Sequence, residues 1–168
     1  MGFFLKDESM KILKISFLVS LFSLACTVTF HAQGTVPPDK EQLLSGDGAG
    51  QALAAEKNGF PPPQKIVSFK DQIGLTKDQL KKMNEMLINV PISATVKGQE
   101  IVEAEEELNK LFESGTINEK TLRTKLERIG KLRAELRFMH LQVYLKEKQI
   151  LSANQWERLK ELQSSEAK

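Results

Sequence analysis

The feature that most limits how this chain can fold is a long helical pattern over residues 116–150, with no proline and one interior glycine, Gly130. Apolar residues recur there at steps of three and four, or at sums of these steps, so they fall on one helical stripe. The stripe consists of Leu122, Leu126, Ile129, Leu136, Val143 and Ile150. At about 1.5 Å per residue this helix would be roughly 50 Å long, too long for the interior of a small globule. The pattern predicts one arm of an elongated, all-α structure.

A similar pattern precedes this arm and supplies a partner for its stripe. Between Leu80 and Leu111 apolar residues repeat with nearly the same period, and a glycine-containing turn at residues 114–116 then interrupts the pattern. Two amphipathic arms joined in this way predict a long αα-hairpin. Pro91 lies inside the first arm and removes a backbone donor, so we expect a kink or a break there.

Two similar motifs flank the predicted hairpin. The first contains Leu75, Thr76 and Gln79, and the second contains Leu151, Ser152 and Gln155. In each motif the Thr or Ser hydroxyl at the N-cap accepts from the backbone amide of the Gln, whose side chain reaches back to the N-cap amide. The motifs predict helix starts just after Thr76 and Ser152. With a short helix at 65–73 and another at 153–163, the folded part becomes a four-helix structure.

The N-terminus has the order of a secretory signal peptide over residues 1–25. Lys6, Lys11 and Lys14 precede an apolar run at 15–25, and small residues follow. The run is nearer a dozen residues than the ~20 that a bilayer span needs, so export is predicted rather than a membrane anchor. Residues 23–26 resemble a lipobox, which predicts lipidation of Cys26, but they equally satisfy ordinary signal peptidase. Cys26 is the one cysteine, so no disulfide forms within the chain.

Residues 26–63 are rich in glycine, proline and small polar residues. Such a stretch buries too little apolar surface to offset its ordering entropy. It therefore predicts a flexible tether, with at most a helical turn or two at 51–57. The predicted helical domain is then 64–168.

Charge is unevenly spread, although the net charge of +2 is too small to indicate nucleic-acid binding. Glutamates cluster at 100–113, near the end of the first arm, and lysines and arginines cluster at 120–137 in the second. This pattern favours antiparallel arms whose opposite charges meet near the turn over a dedicated acidic binding site.

The export signal, the hairpin and the two motifs together resemble the Spy/CpxP family of bacterial periplasmic stress proteins, which carry two LTxxQ motifs. The second motif departs from that pattern, with Ser152 for Thr and Asn154 for Glu, but Ser is an equally good N-cap. The resemblance implies a cradle-shaped antiparallel homodimer that holds unfolding proteins without ATP. The family also includes ZraP and CnrX, which are linked to zinc and to nickel or cobalt.

Basic and apolar side chains alternate along one sector of the second arm. The sector is predicted to bind clients through Leu132, Arg133, Leu136, Arg137, Met139 and His140. His140 is also a weak metal candidate, because metal-binding relatives use His, Glu and Met ligands on comparable helices. No second His lies in the folded region, whereas a transition-metal site needs three or four ligands. An imidazole hydrogen-bonded at the hairpin seam is the more ordinary interpretation.

The expected function is that of an ATP-independent periplasmic holdase of the envelope stress response, with unfolded or misfolded envelope proteins as partners. A metal-responsive sensor or heavy-metal resistance protein, binding zinc or another divalent transition metal, is one alternative. A structural helical-hairpin module is the other. No nucleophile elbow, HExxH or phosphate-binding glycine loop is present in the sequence, so neither an enzyme nor a cofactor is predicted.

We predict that the mature chain starts at or after Cys26 and lies outside the cytoplasm. Metabolic labelling with palmitate distinguishes a lipidated form from one cleaved by ordinary signal peptidase. The lipidated form takes up label, and a Cys26→Ser change removes that label. Label that survives this change would contradict anchoring through Cys26. A cytoplasmic, full-length product would contradict export itself.

Overall fold

A computed structural model describes residues 35–48 and 50–166 of the chain, and all regular secondary structure in these residues is helical. The helices are α1 (Lys40–Ser45), α2 (Leu53–Glu56), α3 (Pro63–Ser68), α4 (Lys77–Glu113), α5 (Glu119–Ile150) and α6 (Ala153–Glu166). The predicted all-α class is confirmed, and α3 to α6 correspond to the four predicted helices. The predicted signal peptide and Cys26 lie outside the described residues. Among the described helices, none combines the length and apolar character needed to cross a membrane.

The two long helices dominate the fold. Helix α4 has 37 residues and continues through Pro91, so the chain does not break there. Because Pro91 has no N–H, the carbonyl of Leu87 loses its usual helical donor. Helix α5 has 32 residues and begins slightly later than predicted, where the Asn118 side chain accepts from the amide of Thr121 at 2.9 Å.

Helices α4 and α5 pack together as an antiparallel long helix pair. Ion pairs join the end of α4 to the start of α5, with Glu107 contacting Lys125 at 2.8 Å and Arg128 at 3.0 Å. Further along the pair, Lys97 contacts Glu135 at 3.0 Å. The predicted meeting of acidic and basic clusters is confirmed. These side chains are partly exposed, so each pair contributes only about 0.2–1 kcal/mol.

Both LTxxQ-like motifs form the capping boxes that the sequence predicts. At the first motif the Gln79 amide donates to Thr76 Oγ1 at 3.2 Å, and the Thr76 amide donates to Gln79 Oε1 at 2.9 Å. At the second motif the Gln155 amide donates to Ser152 Oγ at 3.3 Å, and the Ser152 amide donates to Gln155 Oε1 at 2.9 Å. The starts of α4 and α6 are thus fixed by their own side chains.

The two motifs are also joined to each other. Gln79 Nε2 donates to Gln155 Oε1 at 2.8 Å, and Gln155 Nε2 donates to Gln79 Oε1 at 2.9 Å. The same nitrogens donate to the backbone carbonyls that precede the opposite motifs, Ile150 for Gln79 at 2.8 Å and Gly74 for Gln155 at 2.9 Å. The two glutamines therefore make equivalent contacts and bind the starts of α4 and α6 side by side.

An apolar cluster lies beside this glutamine pair. Its buried members are Ile66, Phe69, Ile73, Met83, Leu151 and Leu159, with Leu75, Ile150 and Trp156 packed against them. They come from α3, the turns after it, α4, the junction between α5 and α6, and α6. The short helices are therefore held at one end of the long pair by their apolar faces.

The segment before α3 differs from the flexible tether that its composition predicts. Of residues 35–63, all but Ala49 are described, and they include α1 and α2. The short helix predicted near residues 51–57 is present as α2. Leu43 of α1 is 4% exposed and Ala52 is 7% exposed, so both are buried. The physical reason is that a few apolar residues at suitable positions find partners on α4 and α5, which average composition does not report.

Replacing either N-cap should destabilise the fold. Thr76→Ala or Ser152→Ala removes one acceptor from a helix start, so each should lower the free energy of unfolding by about 0.5–2 kcal/mol in thermal or urea melts. Thr124→Ala is the matched control, because Thr124 is exposed inside α5 and its hydroxyl donates to the Lys120 carbonyl of the same helix. If Thr76→Ala and Ser152→Ala lower the free energy of unfolding no more than Thr124→Ala does, Thr76 and Ser152 do not act as N-caps.

Candidate functional site

Residues 39–56 form a segment that we call the N-terminal strap, and its described residues, 39–48 and 50–56, lie in the groove between α4 and α5. Leu43 packs in one cluster with Ala94 and Ile101 of α4 and with Leu136 of α5. Further along, Ala52 packs in another cluster with Val143 and Tyr144 of α5, together with Met86 and Val90 of α4. The strap therefore contacts both long helices at two separate places.

Two ion pairs hold the first turn of the strap. Arg133 donates to both carboxylate oxygens of Asp39, at 2.7 and 3.2 Å, and also to Glu105 at 2.9 Å. Lys40 contacts Glu106 at 2.7 Å. The hydrogen bonds from Arg133 hold the pKa of Asp39 below its usual value. A two-pronged contact of this kind favours a planar carboxylate at this place on the groove.

Leu43 enters the groove where α4 carries a glycine. Gly98 is buried, and a Cβ atom built on it would collide with the backbone carbonyl of Leu43. The strap backbone therefore approaches α4 more closely than any other residue at this position would allow. The close approach places the Leu43 side chain against Ala94, Ile101 and Leu136.

Gly48 of the strap lies against His140 of α5. The φ angle of Gly48 is +63°, and a Cβ atom added there would collide with the imidazole ring. His140 is buried, and its Nε2 has no hydrogen-bond partner among the described residues. Burial lowers the pKa of His140, so the imidazole is neutral at pH 7. The sequence predicted a hydrogen-bonded histidine at the hairpin seam. His140 lies at the seam, but its Nε2 has no hydrogen-bond partner among the described residues.

A cavity of about 230 Å³ remains between the strap and the long helix pair. Its apolar wall includes Met86, Leu87, Val90 and Val143, and its polar wall includes Asp47, Glu56, His140 and Tyr144. The Tyr144 hydroxyl donates to Glu56 Oε1 at 2.8 Å, which ties α2 to α5. Burial, followed by this hydrogen bond, raises the pKa of Tyr144.

Glu147 is an unexpected buried carboxyl group on α5. It is 1% exposed, and its Oε1 has no hydrogen-bond partner in the described part of the chain. Burial raises the pKa of Glu147 to about 8, so the carboxyl group is protonated at neutral pH. His140, Tyr144 and Glu147 therefore give α5 three neutral, titratable groups on its covered face.

The residues predicted to bind clients do not form one open surface. Leu136 and His140 are buried, Leu132, Arg133 and Met139 are half-buried, and Arg137 is exposed. The strap contributes to this burial through Leu43 and Gly48. Arg133 is engaged with Asp39 and Glu105. Within this sector Leu136 and His140 are covered, while Arg137 and parts of Leu132 and Met139 remain accessible to another chain.

A different apolar surface is open to solvent. Ile88, Ile92 and Val96 of α4 are 62%, 60% and 59% exposed, and their spacing of four residues places them on one face, which we call the α4 stripe. On α5, Phe138 and Leu145 are 64% and 57% exposed. Large apolar side chains exposed in a row indicate an interaction surface.

The sequence analysis did not identify Asp39, Leu43, Gly48 or Glu147. For Leu43, the available signal was an apolar pair, Leu43 and Leu44, preceded by charged residues within an otherwise polar segment. For Glu147 the signal was its position on the apolar stripe, four residues after Val143. Both signals rest on one or two residues, whereas the composition of the surrounding segment indicates a polar tether around Leu43 and a solvated helix face around Glu147.

Comparisons with protein-family models, with curated proteins and with solved structures find no match to this chain. Among the described residues, no group of three or more His, Cys, Asp or Glu side chains is arranged to hold a metal ion. His140 thus has no such ligand group around it in that part of the chain.

Glu147 should give the protein a measurable pH dependence. Its pKa is about 8 in the fold and about 4.5 in the unfolded chain, so between these values the folded state holds a proton that the unfolded state has released. The contribution of Glu147 to stability therefore falls as pH rises, by at most about 1.4 kcal/mol per pH unit. Glu147→Gln should remove this slope in urea melts between about pH 6.5 and 7.5.

The matched control is Glu127→Gln, at an exposed position on the same helix. The pH range begins near the ordinary pKa of histidine, but the contribution of His140 is common to wild type and Glu147→Gln and cancels when their slopes are compared. Equal slopes for wild type and Glu147→Gln would show that the buried carboxyl group does not retain its proton.

Proposed function

We propose that the chain is an exported, ATP-independent holdase of the Spy/CpxP type, which binds unfolded or misfolded envelope proteins. Two features support the relationship: the LTxxQ-like motifs form paired capping boxes, and these lie at one end of a long antiparallel helix pair. The proposal includes delivery to the periplasm by the signal peptide at 1–25, with a lipid anchor at Cys26 as the alternative form.

The observation that carries the holdase function is the α4 stripe. Three large aliphatic side chains in a row, each about 60% exposed, would be unfavourable in a protein that binds nothing. Unfolding proteins expose the apolar segments that such a surface can cover. Lysine and arginine side chains elsewhere on the long helices add attraction at longer range.

The proposal also includes a homodimer. A cradle formed by two antiparallel copies would cover part of the exposed apolar surface on each of them. The α4 stripe then has one of two roles, as client surface or as dimer seam. The metal-responsive alternative is less well supported, because its one candidate ligand, His140, lacks a surrounding donor group in the described residues. The structural-module alternative predicts neither client binding nor metal binding.

Adding charge to the α4 stripe tests the proposal. Ile92→Lys/Val96→Lys should weaken suppression of client aggregation about tenfold or more, because burial of each aliphatic side chain contributes about 1.5–3 kcal/mol. Asn89→Lys/Ser93→Lys is the matched control, since it adds the same charges at exposed polar positions of the same helix. Helicity and solution mass are measured in parallel.

The outcomes distinguish the roles of the stripe. Loss of suppression with unchanged mass assigns the stripe to clients, and loss together with a fall to monomer mass assigns it to the dimer. Wild-type protein that suppresses no aggregation, for any of several unrelated clients, would contradict the holdase function.

A further inference from the structure

The N-terminal strap lies along the groove that contains the predicted client-binding residues, and few of its apolar side chains are buried there. One large aliphatic side chain, Leu43, is buried in the groove, and the other buried strap residue in its apolar clusters is the small Ala52. The ion pairs at Asp39 and Lys40 join partly exposed side chains. Surface pairs of this kind hold a segment weakly.

The strap also has little structure of its own. Helix α1 has six residues and α2 has four, and helices this short are unstable in water without tertiary contacts. The order of the strap therefore depends on the groove. Segments with few buried apolar contacts open at a low free energy compared with the core of a fold.

The contacts between the groove and the strap involve general features of a polypeptide. Arg133 donates to a carboxylate, the recess at Ala94, Ile101 and Leu136 holds an aliphatic side chain, and Gly98 lets a backbone carbonyl approach α4. None of these contacts requires a particular sequence beyond an acidic residue placed one turn before an aliphatic one. Asp39 and Leu43 satisfy this pattern in cis.

The strap fills the groove incompletely. Beside Gly46, Asp47 and Gly48, the cavity of about 230 Å³ remains, with aliphatic residues along one wall. A Cβ atom at Gly46 would collide with Pro91, and one at Gly48 with His140, but a segment that places an apolar side chain into the cavity from the position of Asp47 would fill this space. Such a segment would bury more apolar surface than the strap does, which favours its binding.

We propose that the strap is an intramolecular occupant of a peptide-binding groove between α4 and α5, and that client segments with an acidic residue one turn before an aliphatic residue replace it. This inference rests on the proposed holdase function for the identity of the replacing chain. The groove is distinct from the α4 stripe, because Ile92 and Ala94 lie about 200° apart around the helix. The strap thus limits access to one of two apolar surfaces.

The test compares full-length proteins that differ in the strap. Leu43→Asp places a charge in the apolar recess and should release the strap, while Leu53→Asp makes the same change at a strap residue that is 45% exposed. Gly48→Val is a second release variant, because its side chain would collide with His140. Hydrogen exchange of residues 39–56 reports release, and exchange of α4 and α5 reports that the helix pair stays folded.

The probe is a fluorescent peptide of residues 36–58, with a second peptide carrying Leu43→Asp as its control. The release variants should bind the first peptide about tenfold or more tightly than wild type, because apparent affinity scales with the fraction of protein whose groove is open. Leu53→Asp should behave like wild type. In aggregation assays with an unfolded client, the release variants should hold more client, and the first peptide should compete with it.

Release variants that bind neither peptide, while their straps exchange freely and the helix pair stays folded, would overturn the inference. A strap that remains protected in both release variants would overturn it as well. If client holding is equal in wild type and in the release variants, the strap does not gate the client site, and the holdase function alone survives. Peptide binding by the release variants without client holding by any variant would support the self-occupied groove and overturn the holdase function.

Discussion

The fold depends on the reciprocal contact between Gln79 and Gln155. Each glutamine caps its own helix start through Oε1, and each donates from Nε2 to the other glutamine and to the carbonyl before the opposite motif. The two side-chain amides thus satisfy two backbone N–H groups and two backbone carbonyls, and they also bond to each other. Single hydrogen bonds of this kind add only about 0.5–1.5 kcal/mol each, but together they leave one arrangement of the starts of α4 and α6. Because α6 follows α5 directly, the contact also fixes where α5 ends.

The position of α5 against α4 then decides what the groove contains. With the ends fixed, Ala94 and Ile101 of α4 pack in one cluster with Leu136 of α5, and Met86 and Val90 pack in another with Val143. Ala94 and Gly98 of α4 are small and leave a recess, which the Leu43 side chain of the strap fills. A shift of one helical turn along α5 would change which residues face one another and remove the recess. The glutamine pair at one end of the molecule and the strap along its length are therefore parts of one arrangement.

The sequence predicted those elements whose cause is local. Apolar periodicity identified both long helices, and the capping boxes placed the starts of α4 and α6, because these signals act over three or four residues. The joining of Gln79 to Gln155 was not predicted, since nothing in either motif reports the other. The strap was predicted as a flexible tether for the same reason. Its order depends on Leu43 meeting Gly98 and Leu136, residues far away in the chain, whereas composition measures only the average of the segment. Helix α4 also continued through Pro91, because packing along the pair compensates for one lost backbone hydrogen bond.

The covered face of α5 explains why the strap need not be held tightly. His140 and Glu147 are buried, each with one polar atom that has no partner among the described residues, and burial keeps both side chains neutral at pH 7. An unpaired polar atom removed from water opposes folding by about 1–3 kcal/mol. Gly48 of the strap lies directly against the imidazole of His140, so water reaches that ring again when the strap leaves. The gain in hydration then offsets part of the contacts that Leu43 and Asp39 lose. A strap that covers an unpaired histidine is held less tightly than its contact surface suggests, and a segment that instead supplies a hydrogen bond to Nε2 would bind the same groove more strongly.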